Sequence, residues 1–295
     1  MDLKTLSDTP PWEWPGDAGR TFRKVLNNRD AAPADRLIAA ELAGDYTVID
    51  NDLANVLLAV LRKREEPEEL RAAAAASFGP VLEVAFDEFD EELGEFDDPE
   101  MVPISEGQYR TIQDALRRVY SDAGTPKLVR RRILEASVRG GEPWHEEAIR
   151  EAYSSGDRDW MLTAVFAMHH VPGFEKETLE ALESTDPKIH YEAVVGCGNK
   201  ELDAAWPHVI KLVQDGSAEK ALRIAAIGAI GWIRPAEARP ILLELAGSDD
   251  EEISDAADEA LSMMEPDSYD DDDEDELDEE DEEDEEEDED DDPVK

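Results

Sequence analysis

The sequence predicts an all-α solenoid of about seven two-helix repeats, followed by an acidic C-terminal tail. Three observations carry that fold class. A short pattern recurs in which an Arg, or a substitute, lies three residues before a small or apolar residue, most clearly at Arg36-Leu37-Ile38-Ala39 and Arg223-Ile224-Ala225-Ala226. The second member of each pair falls at Ala39, Ala74, Ile133, Ala164, Ala193, Ala226 and Ala257, with spacings of 35, 59, 31, 29, 33 and 31 residues. Self-similarity at a period of roughly 30 residues marks a stacked array in which each unit buries its apolar face only against its neighbours. Strand-like alternation is absent, and abundant alanine suits helices packed closely together.

Taken in order, the units place helix pairs at roughly 17–28 and 33–43, 51–63 and 67–86, 105–121 and 126–140, and 143–154 and 157–170. The last three fall at 174–184 and 186–198, 203–215 and 218–232, and 236–247 and 249–264. Glu66-Pro67, Thr125-Pro126, Asp186-Pro187 and Ser248-Asp249 supply start signals, because Pro suits the first helical position and Ser, Thr or Asp caps free N–H groups. The one long spacing reflects an acidic insertion at about 87–103, which carries Phe89 and Phe96. A segment that long inside a tight array is a variable loop or a functional one. Residues 1–16 precede the array. Their Pro10-Pro11-Trp12-Glu13-Trp14-Pro15 run reads as a stiff, non-helical piece that either caps the array or offers Trp12 and Trp14 to a partner. Trp144, Trp160, Trp206 and Trp232 are expected in the core. The polar last helix, Glu251 to Glu259, reads as a capping unit with one wet face.

The pattern of a turn followed by (Val/Leu)-Arg-x-x-Ala-x-x-x-(Leu/Ile)-Gly resembles the HEAT and HEAT-like repeats, including the short class of the phycobilin lyases, over about residues 17–264. Units one, two and six match it well. Met161, His190 and Ser254 stand where the pattern has Arg, and Ile133 where it has Ala. The resemblance implies a right-handed superhelix whose second helices line a concave face, and it implies no particular reaction.

The formal net charge is −48, of which residues 265–295, with 24 acids and one Lys, hold −23, leaving −25 for residues 1–264. Such a chain repels nucleic acid and anionic membranes and attracts basic proteins or cations. The tail, with Asp271, Asp272, Asp273 and Glu274 near its start, is expected to be disordered for want of apolar residues. It could act as a solubiliser, dock a basic partner, mimic nucleic acid or fold back in cis. The strongest basic run, Lys127 with Arg130, Arg131 and Arg132, is the expected cis target or an acidic-peptide site on the concave face. Arg130 stands at the repeat's Arg position, where an inter-repeat ion pair is expected.

Single Cys197 excludes an internal disulfide and a Cys-based metal cluster. No secretory leader is expected from Met1-Asp2-Leu3-Lys4, and no apolar run approaches the ~18 residues of a membrane helix, so a cytoplasmic location is expected. Deoxyhypusine hydroxylases of the HEAT-like class bind di-iron through several His-Glu dipeptides, whereas this chain has His145-Glu146 alone, in a first helix. Neither His169-His170, His190 nor His208 completes a ligand set by spacing. Gly196-Cys197-Gly198 ends a helix rather than cradling a phosphate, and no nucleophile-elbow or Walker motif occurs. The expectation is a non-enzymatic interaction scaffold without cofactor or metal, holding a basic protein on its concave face and tail. The alternatives are a nucleic-acid-mimicking antagonist or acidic chaperone acting through the tail, and a lyase-type enzyme.

Overall fold

A computed structural model describes residues 2–89 and 102–264. Phe96 of the insertion and Asp271, Asp272, Asp273 and Glu274 of the tail lie outside the described residues. The described chain is helical, without strands: α1 (Leu3–Ser7), α2 (Ala18–Asn27), α3 (Pro33–Leu42), α4 (Asn51–Arg62), α5 (Glu68–Ala76), α6 (Gly79–Phe89), α7 (Glu106–Ser121) and α8 (Lys127–Ser137). There follow α9 (Trp144–Ser154), α10 (Arg158–Ala167), α11 (Glu175–Ala181), α12 (Pro187–Asn199), α13 (Trp206–Gln214), α14 (Lys220–Ile233), α15 (Pro235–Leu245) and α16 (Glu251–Met263). It is an α-solenoid. From α2 onward the helices pair as the sequence predicts, and the second helices α3, α5, α8, α10, α12, α14 and α16 pack each on the next in one continuous layer.

All seven signature residues, Ala39, Ala74, Ile133, Ala164, Ala193, Ala226 and Ala257, are fully buried in that layer. The small size of the six alanines sets how near neighbouring helices come. Gly198 of α12 shows the limit: a Cβ there would lie 2.9 Å from Ala229 Cα of α14. The core forms two clusters that meet at α10, whose Ala164 and Ala167 belong with the preceding units while Val165 belongs with those that follow.

The Arg column has a defined task. Arg36 Nη2, Arg71 Nε and Arg223 Nε donate to the carbonyls of Leu26, Leu61 and Val213, each ten residues upstream in the last turn of the first helix, at 3.1, 2.9 and 3.0 Å. Last-turn carbonyls lack intrahelical partners and carry the negative end of the helix dipole, so a cation there is stabilising. Ser254, which replaces Arg in unit seven, donates to Ala246 O at 2.7 Å and does the same with a hydroxyl.

A second column joins unit to unit. A base at the start of one second helix meets the acid at the start of the next: Lys127 with Asp157 at 2.7 Å, Arg158 with Asp186 at 2.6 Å, Lys220 with Asp250 at 2.9 Å. Arg36 reaches Glu66 at 2.6 Å, with both side chains almost fully buried. Arg64 bonds Asp122 at 2.5 Å across the insertion, so units two and three stack in ordinary register.

Three expectations need correction. The predicted helix 67–86 is two helices, because Pro80 lacks an N–H and would clash with the carbonyl four residues back in a continuous helix. The chain turns at Ser77-Phe78, and α6 then runs through the expected start of the insertion to Phe89. The Pro10–Pro15 run contains a 3-10 turn, Pro11–Glu13, and follows a helix, α1. Trp232 is 44% exposed rather than in the core.

Two glycine substitutions separate crowding from propensity. Gly198→Ala should cost about 1–3 kcal/mol by forcing α12 from α14. Gly228→Ala, where a Cβ meets nothing within 4 Å, should stabilise by up to about 1 kcal/mol through helix propensity. Thermal melts of both should move in opposite directions.

The Arg36–Glu66 pair sets an acid limit. The Arg36 guanidinium, and secondarily Lys63, holds the Glu66 carboxyl down at about 2. Its contribution, about 2–3 kcal/mol, is therefore present above the ordinary value near 4.5 and lost as pH falls toward 2. Arg36→Met should remove most of that slope from the stability-against-pH curve, leaving the part due to Lys63, and lower stability at pH 7.

Candidate interaction groove

The second-helix layer carries two abutting concavities. One, of about 800 Å³, lies over α3, α5 and α8 and is lined by Trp14, Leu37, Leu42 and Leu128, with carboxylates from Glu41, Asp45 and Glu69. The other, of about 860 Å³, lies over α8, α10 and α12 and reaches the start of α14; Leu162, Phe166 and Tyr191 line it, with Arg131, Arg132, Arg139, Lys188, Glu135 and Glu192. Ala76, Pro80 and Arg132 border both, so they form one groove.

Helical periodicity decides who lines it. Counted from the buried signature residue, the lining residues fall at −2 and −1 (Leu37, Ala72, Ala73, Arg131, Arg132, Leu162, Tyr191, Glu192) and at +2 and +3 (Glu41, Leu42, Ala76, Glu135, Ala136, Phe166). One turn earlier, −5, come Glu69, Leu128 and Lys188. Side chains three and four apart share a helix face, so one column per turn becomes the groove floor.

The basic run disperses on folding. Lys127 faces the inter-repeat column, bonded to Asp157 and Asp159. Among the described residues Arg130 makes no inter-repeat ion pair; its guanidinium lies 4.9 Å from the Tyr120 ring and 5.5 Å from the Trp160 ring, a cation–π contact. Arg131 is buried and donates from Nε to Thr163 Oγ1 at 2.8 Å. Arg132 alone combines substantial exposure, 46% of its side chain, with a place in the groove, where it pairs with Glu135.

The N-terminal Trp pair also separates. Trp14 packs edge-on against Phe22 at 5.6 Å and donates from Nε1 to Leu6 O and Thr9 O, capping unit one while touching the groove. Trp12 stands 79% exposed, outside the groove lining, and shares a separate shallow concavity with Arg20, Arg23 and Asp50. Phe89 is half-buried against Tyr109 at 5.8 Å.

Glu192 is the most perturbed carboxyl of the groove. Burial first, and the Glu135 charge second, push its proton affinity up to about 7. Glu135 is itself satisfied by Thr163 Oγ1 at 2.6 Å and by Arg132. His169 Nε2 meets the Glu192 carbonyl at 2.7 Å and its carboxyl at 3.7 Å, while burial holds the imidazole neutral, at about 4.

The other histidines sit elsewhere. His145 is buried against Ser137 Oγ at 3.1 Å and pushed by burial to about 3, and His190 meets His208 at 2.9 Å between α12 and α13. That pair, with His190 in the Arg column, was not foreseen from spacing. Among the described residues no three His, Cys, Asp or Glu side chains gather as a metal site. Cys197 is buried inside α12, its thiol pushed up to about 12. Among the described residues, too, no helix is long and apolar enough to cross a membrane.

Residues 175–262 match the family model described as HEAT repeats. That segment carries HEAT repeats. No curated protein matches it. Among solved structures, YibA of E. coli is similar at 16% identity and a TM-score of 0.43, over 85% of this chain and 83% of that one. Human deoxyhypusine hydroxylase in complex with glycerol is similar at 18% and 0.37, over 89% and 88%. The complex of CpcE and CpcF of phycocyanin lyase from Nostoc sp. PCC7120 is similar at 18% and 0.41, over 87% and 97%. The HEAT model covers units five to seven; the same buried column extends through units one to four, and the carbonyl-capping arginine of unit six has counterparts in units one and two.

Glu192 predicts a pH signature. Because its folded value lies above the ordinary carboxyl value, the folded chain retains a proton between about 4.5 and 7 that the unfolded chain has released. Stability should fall as pH rises through that window. Glu192→Gln should flatten the slope and raise stability at pH 8 by about 1–3 kcal/mol, read by denaturant unfolding at pH 5 and pH 8.

Proposed function

We propose that the chain is a non-enzymatic interaction scaffold whose inner groove holds a segment of a basic protein. The observation that carries this reading is the α3–α5–α8 half of the groove. There an apolar floor of Leu37, Leu42, Leu128 and Trp14 is bordered by Glu41, Asp45 and Glu69, with Arg132 as the one base in the lining. Glu41 and Glu69 are exposed, with their charges directed at solvent or an arriving partner. An amphipathic segment laying apolar side chains on the floor and Lys or Arg on the rim matches both components.

Net charge supports the same partner class. Residues 1–264 carry −25 and the tail −23, a field that speeds encounter with a basic protein and is screened by salt. The chemistry beside the groove favours binding over turnover: the Thr163 hydroxyl, which meets the Glu135 carboxylate, is fully buried, and the neutral His169 commits Nε2 to a backbone carbonyl.

A fluorescent Lys/Leu amphipathic peptide tests the reading on the full-length chain. Glu41→Gln with Glu69→Gln should weaken binding about tenfold or more at low salt, a loss of about 1.4 kcal/mol. Unchanged affinity in that variant would overturn the groove as the site. Binding lost only on removal of residues 265–295 would instead assign the activity to the tail.

A further inference from the structure

The second half of the groove has the opposite character. Among its lining residues, Arg131, Arg132, Arg139 and Lys188 stand against Glu135, Glu192 and Glu219. In a chain with more than twice as many acids as bases, a site where bases outnumber acids is a local inversion. Arg132 and Lys188 are the exposed bases of this lining, on α8 and α12. Over distances beyond about 10 Å salt screens the acidic remainder, so the lining decides what this half attracts.

The chain's own end is placed to reach it. The second helices form one layer, α16 is the last of them, and residues 265–295 follow it directly in sequence. α16 starts beside α14, where Lys220 bonds Asp250 at 2.9 Å, and the start of α14, at Glu219 and Ala221, is the near edge of this half of the groove. With 13 residues, α16 is about 20 Å long, while 31 extended residues span on the order of 100 Å.

We infer that the acidic tail docks in cis on the α8–α12 half of the groove, laying Asp and Glu side chains against Lys188 and Arg132. A tether of this length gives an effective concentration on the order of millimolar, so a weak site is occupied in cis that would stay empty in trans. The contact differs from the expected Lys127–Arg132 target, because folding turns Lys127 and Arg130 away and leaves Arg132 to the groove. It leaves the Glu41–Glu69 half open and stands independently of what that half binds.

Glu192 tunes the contact. Its carboxyl faces Glu135 of α8 and His169 beyond α10, with Lys188 one turn away on its own helix and Arg131, Arg132 and Arg139 along the same lining. Below about 7 it is protonated and can donate to a tail carboxylate, whereas above that it repels one. Docking should weaken as pH rises through neutrality.

Zero-length carbodiimide coupling of the full-length protein, read by mass spectrometry, tests this directly, since it joins a carboxylate only to an amine in contact with it. Lys188 should be the dominant lysine joined to residues 265–295 at low salt, above Lys176 of α11 and Lys211 of α13. The yield should not depend on protein concentration, and it should be lost in high salt and in Arg132→Glu. Equal coupling to Lys176 and Lys211, or a Lys188 yield that rises with protein concentration, would overturn cis docking. Because Lys188 lies outside the Glu41–Glu69 half, failure here leaves the basic-peptide result untouched, and the reverse holds too.

Discussion

The structure depends on how closely one second helix lies upon the next. At the crossing stands a single buried residue per unit, alanine in six and isoleucine in one, and nothing larger fits between α12 and α14, where even a methyl group on Gly198 would meet backbone. Dispersion and burial both reward that closeness. Once the spacing is set, the helix surface on either side of the crossing is set as well, and the rest of the molecule follows from which side chains the sequence places there.

Charge then does two different jobs on two different columns. At the −3 column, Arg36, Arg71 and Arg223 are spent inward, each on an orphan carbonyl of its own unit. At the head of the second helices, Lys127, Arg158 and Lys220 are spent laterally, each on the acid that opens the next unit. Exposed pairs of this second kind contribute little singly, but they recur in register and oppose sliding of one unit past another. A very acidic chain thus commits many of its bases to construction, and the few left facing the groove, Arg132 and Lys188 among them, stand out by contrast.

Much of this was legible in the sequence. The spacing of Ala39, Ala74, Ile133, Ala164, Ala193, Ala226 and Ala257 located the pairs, and all seven proved buried. Gly79-Pro80 also announced the break between α5 and α6, but a long alanine run masks a breaker when periodicity alone is followed. The basic run misled for a different reason. Bases clustered along a helix do not share one face, so Lys127, Arg130, Arg131 and Arg132 meet, in turn, an acid pair, two aromatic rings, a buried hydroxyl and the groove. Density along the chain is a poor guide to a surface on a helix, whereas phase relative to the buried column is a good one. Read by phase, Glu41, Glu69, Lys188 and Glu192 would have been found.

Phase also explains why the groove is bipolar. The columns at −5, −2 and −1, and +2 and +3 occur once per unit, so each second helix contributes a short strip of lining, and its charge is whatever that unit's sequence supplies. Units one and two supply Glu41 and Glu69 beside leucine and alanine; unit three supplies Arg131 and Arg132 with Glu135; unit five supplies Lys188 with Glu192. Because no strip must match its neighbour for the array to stack, the inner face can change sign within a few helices at no cost to the fold. A surface assembled in independent strips can hold two occupants of opposite charge side by side, and the boundary between them falls at Ala76, Pro80 and Arg132, the residues both halves share.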